Sequence, residues 1–121
     1  MKENPRNLIE RTKQFALAII RLYSHLPKSG EAQVLGKQVL RSGTSVGAHY
    51  REAQRAKSNP DFISKVQGAL QELDETLYWL ELLEESSIAP REETTDLRQE
   101  ASELMAILTT IVKTVKSRKT P

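Results

Sequence analysis

Apolar residues recur at intervals of three and four along four segments of the chain. This spacing is typical of one face of an α-helix, because residues three and four positions apart lie one above another. It predicts four helices, at about 5–26, 31–57, 60–86 and 91–117. The residues predicted to face the core are Leu8, Thr12, Phe15, Ile19, Leu22 and Leu26; Leu35, Val39, Gly43, Val46, Tyr50 and Ala53; Phe62, Val66, Ala69, Leu73, Thr76, Leu80 and Leu83; and Leu97, Ala101, Leu104, Leu108, Ile111 and Val115.

Residues that favour turns and helix starts separate the four segments. Asn4 is a candidate N-cap for the first helix, and Pro5 suits its first position. Ser58 is the candidate N-cap of the third helix, with Pro60 in the first turn and Asp61 as an acidic capping-box variant. The remaining breaks, 27–30 and 86–90, are rich in Pro, Gly and Ser. Four helices with short connections predict one all-α domain over 1–121, an antiparallel up-down-up-down four-helix bundle.

Three glycines lie inside the second predicted helix, at Gly36, Gly43 and Gly47. Each costs about 1 kcal/mol relative to alanine in a helix. We expect them to allow close approach of another helix backbone, and the alternative is a locally weak or kinked helix. The pattern therefore predicts a tight contact on the second helix.

The third helix carries more apolar surface than one core-facing stripe needs. Tyr78, Trp79 and Leu82 extend it beyond the core positions. Tyrosine and tryptophan are enriched at protein interfaces, so these residues are the predicted contact between subunits of an oligomer. The alternative is that Trp79 closes the end of the core of its own bundle.

The basic residues of the second helix are clustered. Lys37, Arg41, Arg51 and Arg55 fall within an arc of about 80° and span about 27 Å of helix. Residues 1–57 hold eleven Lys/Arg against four Asp/Glu, whereas 58–121 hold seven against twelve. A basic stripe of this kind suits a nucleic-acid backbone, RNA or DNA, which is bound through charge without reading the base sequence. The alternatives are a solvated face, or pairing with the acidic third helix of a neighbouring subunit.

No motif for catalysis or metal binding is present in the sequence. The chain has no Cys, no phosphate-binding glycine loop and no His-Glu-x-x-His zinc motif. His49 and Glu52 are three residues apart, but this pair has no second copy, so a surface polar pair is the better interpretation. We therefore predict a non-enzymatic protein without catalytic residues, metal or cofactor. The absence of Cys is consistent with a reducing cytoplasm, where we expect the protein. The apolar runs are too short for a membrane span or signal peptide, so no membrane partner is expected.

Two stretches resemble a known family. They are LGKQVLRSGTSVGAHYREAQRA at 35–56 and ALQELDETLYWLELL at 69–83. They are similar to the four-helix-bundle family of 23S ribosomal RNA intervening-sequence proteins, to which the accessory variability protein of diversity-generating retroelements is related. The resemblance implies a four-helix protomer and, from characterised relatives, a ring-like homopentamer. It also implies nucleic-acid binding, because the retroelement relative is a basic partner of a reverse transcriptase.

These observations lead to a first hypothesis, a homo-oligomeric module that holds nucleic acid through Lys37, Arg41, Arg51 and Arg55. The second is a protein-interaction scaffold, in which the same stripe faces an unknown acidic protein or a neighbouring subunit. The third, a metal-dependent enzyme, lacks the required ligand set.

Overall fold

The computed structural model describes residues 5–118, and this part of the chain forms four α-helices without a β-strand. They are α1 (Pro5–His25), α2 (Gly30–Ala53), α3 (Asn59–Glu85) and α4 (Arg91–Ser117). The predicted bounds differ from these by at most one residue, except at the end of α2. The Asn4 cap lies outside the described residues.

The second helix ends at Ala53, four residues before the predicted end at 57. Ala53 is its last fully buried side chain, and the next two residues are exposed. The backbone hydrogen bonds shorten to a three-residue spacing here, from Arg55 to Glu52 and from Ala56 to Ala53. Such bonds tighten and terminate a helix, and the chain needs this turn to reach Ser58.

Consecutive helices pack against each other, and α4 returns to lie beside α1. The helices therefore follow the cyclic order α1-α2-α3-α4, which confirms the predicted four-helix bundle. The α1–α4 contact is the loosest of the four. In α4 the last buried position is Val112 rather than Ile111 or Val115, because a 3.6-residue helix drifts away from a strict seven-residue repeat. No helix in the described part is long and apolar enough to cross a membrane.

The predicted cap of α3 is present. The Ser58 hydroxyl accepts a hydrogen bond from the Asp61 backbone N–H at 3.2 Å. At its other end, α3 closes with Ser87 in the left-handed region, at φ 63°. The Ile88 N–H donates to the Leu83 carbonyl there, at 3.0 Å. This is the Schellman arrangement that satisfies the last carbonyls of a helix.

The glycines of α2 lie against α1, as the close-packing prediction requires. A Cβ atom at Gly43 would be 2.7 Å from Ile19 Cγ1, and one at Gly36 would be 2.8 Å from Leu26 Cδ1. Both distances are shorter than real carbon contacts. The α1 and α2 backbones therefore approach as closely as they do because these positions carry no side chain.

Two hydroxyl groups are buried where α2 packs on α3. Ser42 and Thr76 are fully buried, and their hydroxyl oxygens are 2.8 Å apart. Thr76 Oγ1 also lies 2.7 Å from the Glu72 carbonyl oxygen, within hydrogen-bond distance. Because an unsatisfied buried hydroxyl is costly, this pair favours one register of α2 against α3.

Candidate nucleic-acid interface and association surface

The predicted basic stripe is exposed, but its charges are not equivalent. Arg41 reaches across to α3, where its guanidinium nitrogens lie 2.6 Å from Glu75 Oε1 and 3.3 Å from Glu72 Oε1. These carboxylates compensate much of its charge. The contact is within one chain, so Arg41 already has carboxylate partners on its own α3, and pairing of the stripe with a neighbouring subunit stays a prediction.

The other three stripe residues form no ion pair with any described residue. Lys37 is exposed in the first half of α2. Arg51 and Lys13 line a shallow groove of about 250 Å³ between α1 and α2. Arg55 lies beyond the end of α2 at Ala53, so helical periodicity does not determine its position. The stripe is therefore interrupted at Arg41 and ends in a turn.

A stronger concentration of positive charge lies at one end of the bundle. The end of α2, the start of α3 and the end of α4 meet there, as the groove lined by Lys57, Phe62 and Arg118 shows. Residues 51–65 and 110–118 carry seven basic side chains and two acidic ones. We call this region the basic end. Its basic residues are Arg51, Arg55, Lys57, Lys65, Lys113, Lys116 and Arg118.

The opposite end of the bundle is acidic. Residues 21–35 and 80–98 carry seven acidic side chains and four Lys/Arg. Glu84 is the most enclosed of these acids, with its side chain 11% exposed. Its Oε1 accepts a hydrogen bond from the Thr94 hydroxyl at 2.7 Å and another from Arg98 Nη1 at 2.9 Å. These bonds, aided by the charges of Arg98 and Arg91, outweigh burial and lower the pKa of Glu84 below its ordinary value of 4.5.

This lowered pKa makes the stability of the bundle depend on pH. The folded state holds the Glu84 proton less tightly than the unfolded chain does. The ionised Glu84 side chain therefore stabilises the fold above about pH 4.5, and this contribution is lost as the pH falls through the lowered pKa of the folded state. Thermal melts of the wild type and Glu84→Gln should differ most near neutral pH, with the wild type more stable. We expect this gap to narrow in acid. Glu85→Gln, at an exposed neighbour, should give a much smaller gap, and a Glu84 gap that is constant with pH would contradict the assignment.

A charged cluster connects α1 to α4. Arg11 donates two hydrogen bonds to Glu100, at 2.7 and 2.9 Å, and one to Glu103 at 2.7 Å. The bonds to Glu100 are the main cause that raises the pKa of Arg11 above its ordinary value, so its charge is permanent. Towards the acidic end from this cluster, α1 and α4 separate to leave a groove of about 480 Å³.

The predicted interface residues on α3 differ in exposure. Tyr78 is 55% exposed, whereas Trp79 and Leu82 are half-buried. The rings of Tyr78 and Trp79 are 5.1 Å apart, and Trp79 also packs on the core of its own protomer. Within the described residues Trp79 Nε1 is buried without a hydrogen-bond partner. Both interpretations of Trp79 therefore have a structural basis, and the exposed surface is centred on Tyr78.

His49 lies near two carboxylates of the bundle surface. Its Nδ1 is 3.5 Å from Glu52 Oε1, and its Nε2 is 3.7 Å from Glu72 Oε2. The two carboxylates approach different ring nitrogens, so they do not converge on one point. Across residues 5–118, no group of three or more His, Cys, Asp or Glu side chains could hold a metal ion.

The sequence interpretation did not count Lys57, Lys116 and Arg118 among the candidate binding residues. The signal was present in the sequence. In an up-down bundle, the second and fourth helices must finish at the same end, and the ends of both helices are rich in Lys and Arg. Counting the charges of residues 1–57 and 58–121 separately concealed this cluster of basic residues. Each half of the chain has one helix that runs towards the basic end and one that runs away from it.

Comparison with known proteins decides the family. The family model described as 23S rRNA-intervening sequence protein matches residues 6–110. The chain belongs to this family. The two stretches at 35–56 and 69–83 predict membership of this same family, and the match confirms that prediction.

A solved structure supports the same assignment. The chain is similar to a protein with unknown function from the S23 ribosomal protein family of Bacteroides thetaiotaomicron, with 41% identity and a TM-score of 0.82. The match covers 87% of this chain and 97% of the other. No curated protein matches. Neither the family description nor the description of this relative names a catalytic activity, and the relation to retroelement accessory proteins stays a prediction.

Proposed function

We propose that this member of the 23S rRNA-intervening sequence protein family is a non-enzymatic module that holds RNA or DNA through its phosphate backbone. The observation that carries the proposal is the basic end, where seven basic side chains outnumber two acidic ones. Lys65 is the one of the seven that forms an ion pair with a described residue, Asp61. The other cations are available to an anionic partner.

The residues expected to bind differ from the stripe as the sequence presents it. Arg51 and Arg55 belong to the basic end, whereas Lys37 lies more than two helical turns away and Arg41 is compensated by Glu72 and Glu75. We therefore assign the main contact to Arg51 and Arg55, extended by Lys116. Some of the basic side chains at the ends of α2 and α4 also interact favourably with the helix dipoles. Each such interaction stabilises its helix by only about 0.3–1 kcal/mol.

The proposal is tested by reversing charge at the two ends of the bundle. The basic-end variant is Arg55→Glu with Lys116→Glu. The matched control is Arg21→Glu with Lys28→Glu, two exposed residues that form no ion pair with a described residue, and it changes the net charge equally at the acidic end. Binding to single-stranded RNA and to DNA is measured by fluorescence anisotropy over a range of salt concentrations.

The basic-end variant is expected to bind at least tenfold more weakly at low salt. Because the variant removes two phosphate-binding cations, the slope of log K against log salt should become less steep by about 1.4 for single strands and about 1.8 for duplex DNA. The control should retain most of its affinity. If both variants lose affinity equally, only net charge matters and the basic end is not the site.

The second candidate function is a protein-interaction scaffold. The observation that favours it is the exposed apolar surface around Tyr78, which nucleic-acid binding at the basic end does not use. Under this function, the wild type binds neither RNA nor DNA at low salt. Charge reversal at the basic end then releases an acidic protein partner instead.

A further inference from the structure

A groove of about 420 Å³ opens at the basic end of the bundle. It lies between the connection from α2 to α3 (residues 54–58), the start of α3 and the end of α4. Volumes of about 300–1,000 Å³ are typical of sites that hold small ligands. We call it the basic-end groove, and apolar, amide and cationic side chains make up most of its lining.

The apolar wall of the basic-end groove contains one aromatic ring. Phe62 lies near the start of α3 and is half-buried, so that it packs on the core of the bundle and also lines the groove. Ala53 of α2 and Val115 of α4 extend the same wall. Phe62 is the only aromatic residue in the two ranges that form the basic end, 51–65 and 110–118. An aromatic ring in such a wall favours a ligand with a flat face.

Two amide side chains lie beside this wall. Gln54 and Asn59 are exposed and stand at the two ends of the connection between α2 and α3. The Asn59 amide forms no hydrogen bond with a described residue. Gln54 Nε2 is 3.4 Å from the Tyr50 carbonyl oxygen, a long contact that leaves the Gln54 amide oxygen available. Each amide can donate and accept hydrogen bonds, as the edge of a nucleic-acid base does.

Two cations border the groove, and no carboxylate of the described residues lines it. Lys57 and Arg118 are exposed and form no ion pair with a described residue. The two acids of the basic end lie outside the groove, where Asp61 pairs with Lys65 and Glu52 is directed to another part of α2. The positive charge beside the aromatic wall is therefore uncompensated.

An aromatic ring, two amides and two cations together match one class of ligand, an unpaired nucleotide. Proteins recognise single strands by stacking bases on aromatic side chains, by hydrogen bonds to the base edges and by cations on the phosphates. In a duplex each base is stacked between its neighbours and its pairing edge is occupied. A paired base therefore cannot offer these groups to the groove.

We infer that the basic-end groove takes one unpaired base of a single-stranded nucleic acid, stacked against Phe62, with the flanking phosphates at Lys57 and Arg118. Gln54 and Asn59 are then the side chains that reach the edge of the base. The inference rests on the proposed function, because it names the form of nucleic acid that the basic end holds. It also separates the groove from the other basic side chains, which contact phosphates and need no unpaired base.

The test uses two variants that leave the charge of the protein unchanged. Phe62→Leu keeps an apolar side chain against the core and removes the aromatic face. Gln54→Ala with Asn59→Ala removes the two amides at exposed positions. The matched control is Phe15→Leu, the same change at a buried residue of α1 outside the basic end. Circular dichroism checks that all three proteins stay helical.

Binding is measured by fluorescence anisotropy with three single strands of equal length. They are oligouridylate, oligothymidylate and an abasic DNA strand, which carries the same phosphates without any base. The abasic strand reports the contribution of charge alone. Comparison of the first two strands shows whether the groove accepts RNA, DNA or both.

The wild type should bind the base-bearing strands more tightly than the abasic strand. Phe62→Leu should bind the base-bearing strands about fivefold or more weakly than the wild type, as expected for the loss of one stacked base. The amide variant should lose at least about twofold. Neither variant should change the affinity for the abasic strand or the slope of log K against log salt, because no cation is removed. Phe15→Leu should bind all three strands as the wild type does.

Two results would overturn the inference and leave the proposed function standing. They are an unchanged affinity of Phe62→Leu for the base-bearing strands, and an equal loss on the abasic strand. If Phe62→Leu is not helical, the amide variant decides, and its unchanged affinity would overturn the inference as well. A wild type that binds none of the three strands would instead contradict the proposed function, and the inference with it.

Discussion

Gly43→Ala is expected to lower the free energy of unfolding by about 1–2 kcal/mol. Helix propensity alone predicts the opposite, because alanine in a helix is favoured over glycine by about 1 kcal/mol. The added Cβ would lie 2.7 Å from Ile19 Cγ1 and 3.0 Å from Ile19 Cγ2, atoms of a fully buried side chain. Overpacking against such a side chain forces the helices apart and outweighs the gain in propensity.

Denaturant unfolding followed by circular dichroism measures this change. Gly30→Ala is the matched control, because a Cβ there meets nothing within 4 Å, and it should be neutral or stabilising. Ile19→Ala removes both crowding atoms, so the double variant should lose less stability than the sum of the single changes. A Gly43→Ala protein as stable as the wild type would show that α1 and α2 do not need their close approach.

Thr76→Val should cost about 1–3 kcal/mol, although valine has almost the same shape as threonine. The loss falls on Ser42, whose buried hydroxyl would keep only the Val39 carbonyl, at 3.5 Å. A buried hydroxyl without a good partner bears its full desolvation cost. Equilibrium unfolding measures the effect, and Thr110→Val, at an exposed α4 threonine bonded to the Ala106 carbonyl, should stay within about 0.5 kcal/mol.

The reverse substitution should be milder. Ser42→Ala leaves Thr76 bonded to the Glu72 carbonyl at 2.7 Å, so the remaining hydroxyl stays satisfied. Combining Ser42→Ala with Thr76→Val removes both hydroxyls and should restore part of what Thr76→Val loses alone. Additive losses in the double variant would mean that the two hydroxyls do not depend on each other.

The sequence predicted the four helices and most of the core, because burial of an apolar face imposes a regular spacing. It also predicted the glycine contacts of α2, since glycine inside a long helix needs a reason. Ser42 escaped notice, because a polar residue beside the apolar positions gives no periodic signal. Its burial depends on Thr76 of α3, a partner that only the packed structure shows.

The candidate binding residues were less predictable than the fold. Helical periodicity placed Arg41 within the same arc of α2 as Arg51, but it contains no information about the Glu72 and Glu75 carboxylates that approach from α3. The sequence placed Arg55 in α2, but α2 ends at Ala53. The end of this helix follows from where burial against the other helices stops, and the spacing of residues along α2 does not show that point. The sequence showed Tyr78 and Leu82 as apolar surface beyond the core positions of α3. The groove of about 480 Å³ between α1 and α4 is formed by residues of two helices, so the apolar spacing of one helix does not predict it.

The separation of charge between the two ends affects how the bundle would meet a polyanion. A body that is positive at one end and negative at the other experiences a torque in the field of a nucleic acid. It therefore turns its basic end forward while still approaching, and the acidic end is held away from the phosphates. Orientation of this kind raises the fraction of productive encounters, and it weakens as salt shortens the range of the field to about 8 Å near physiological ionic strength.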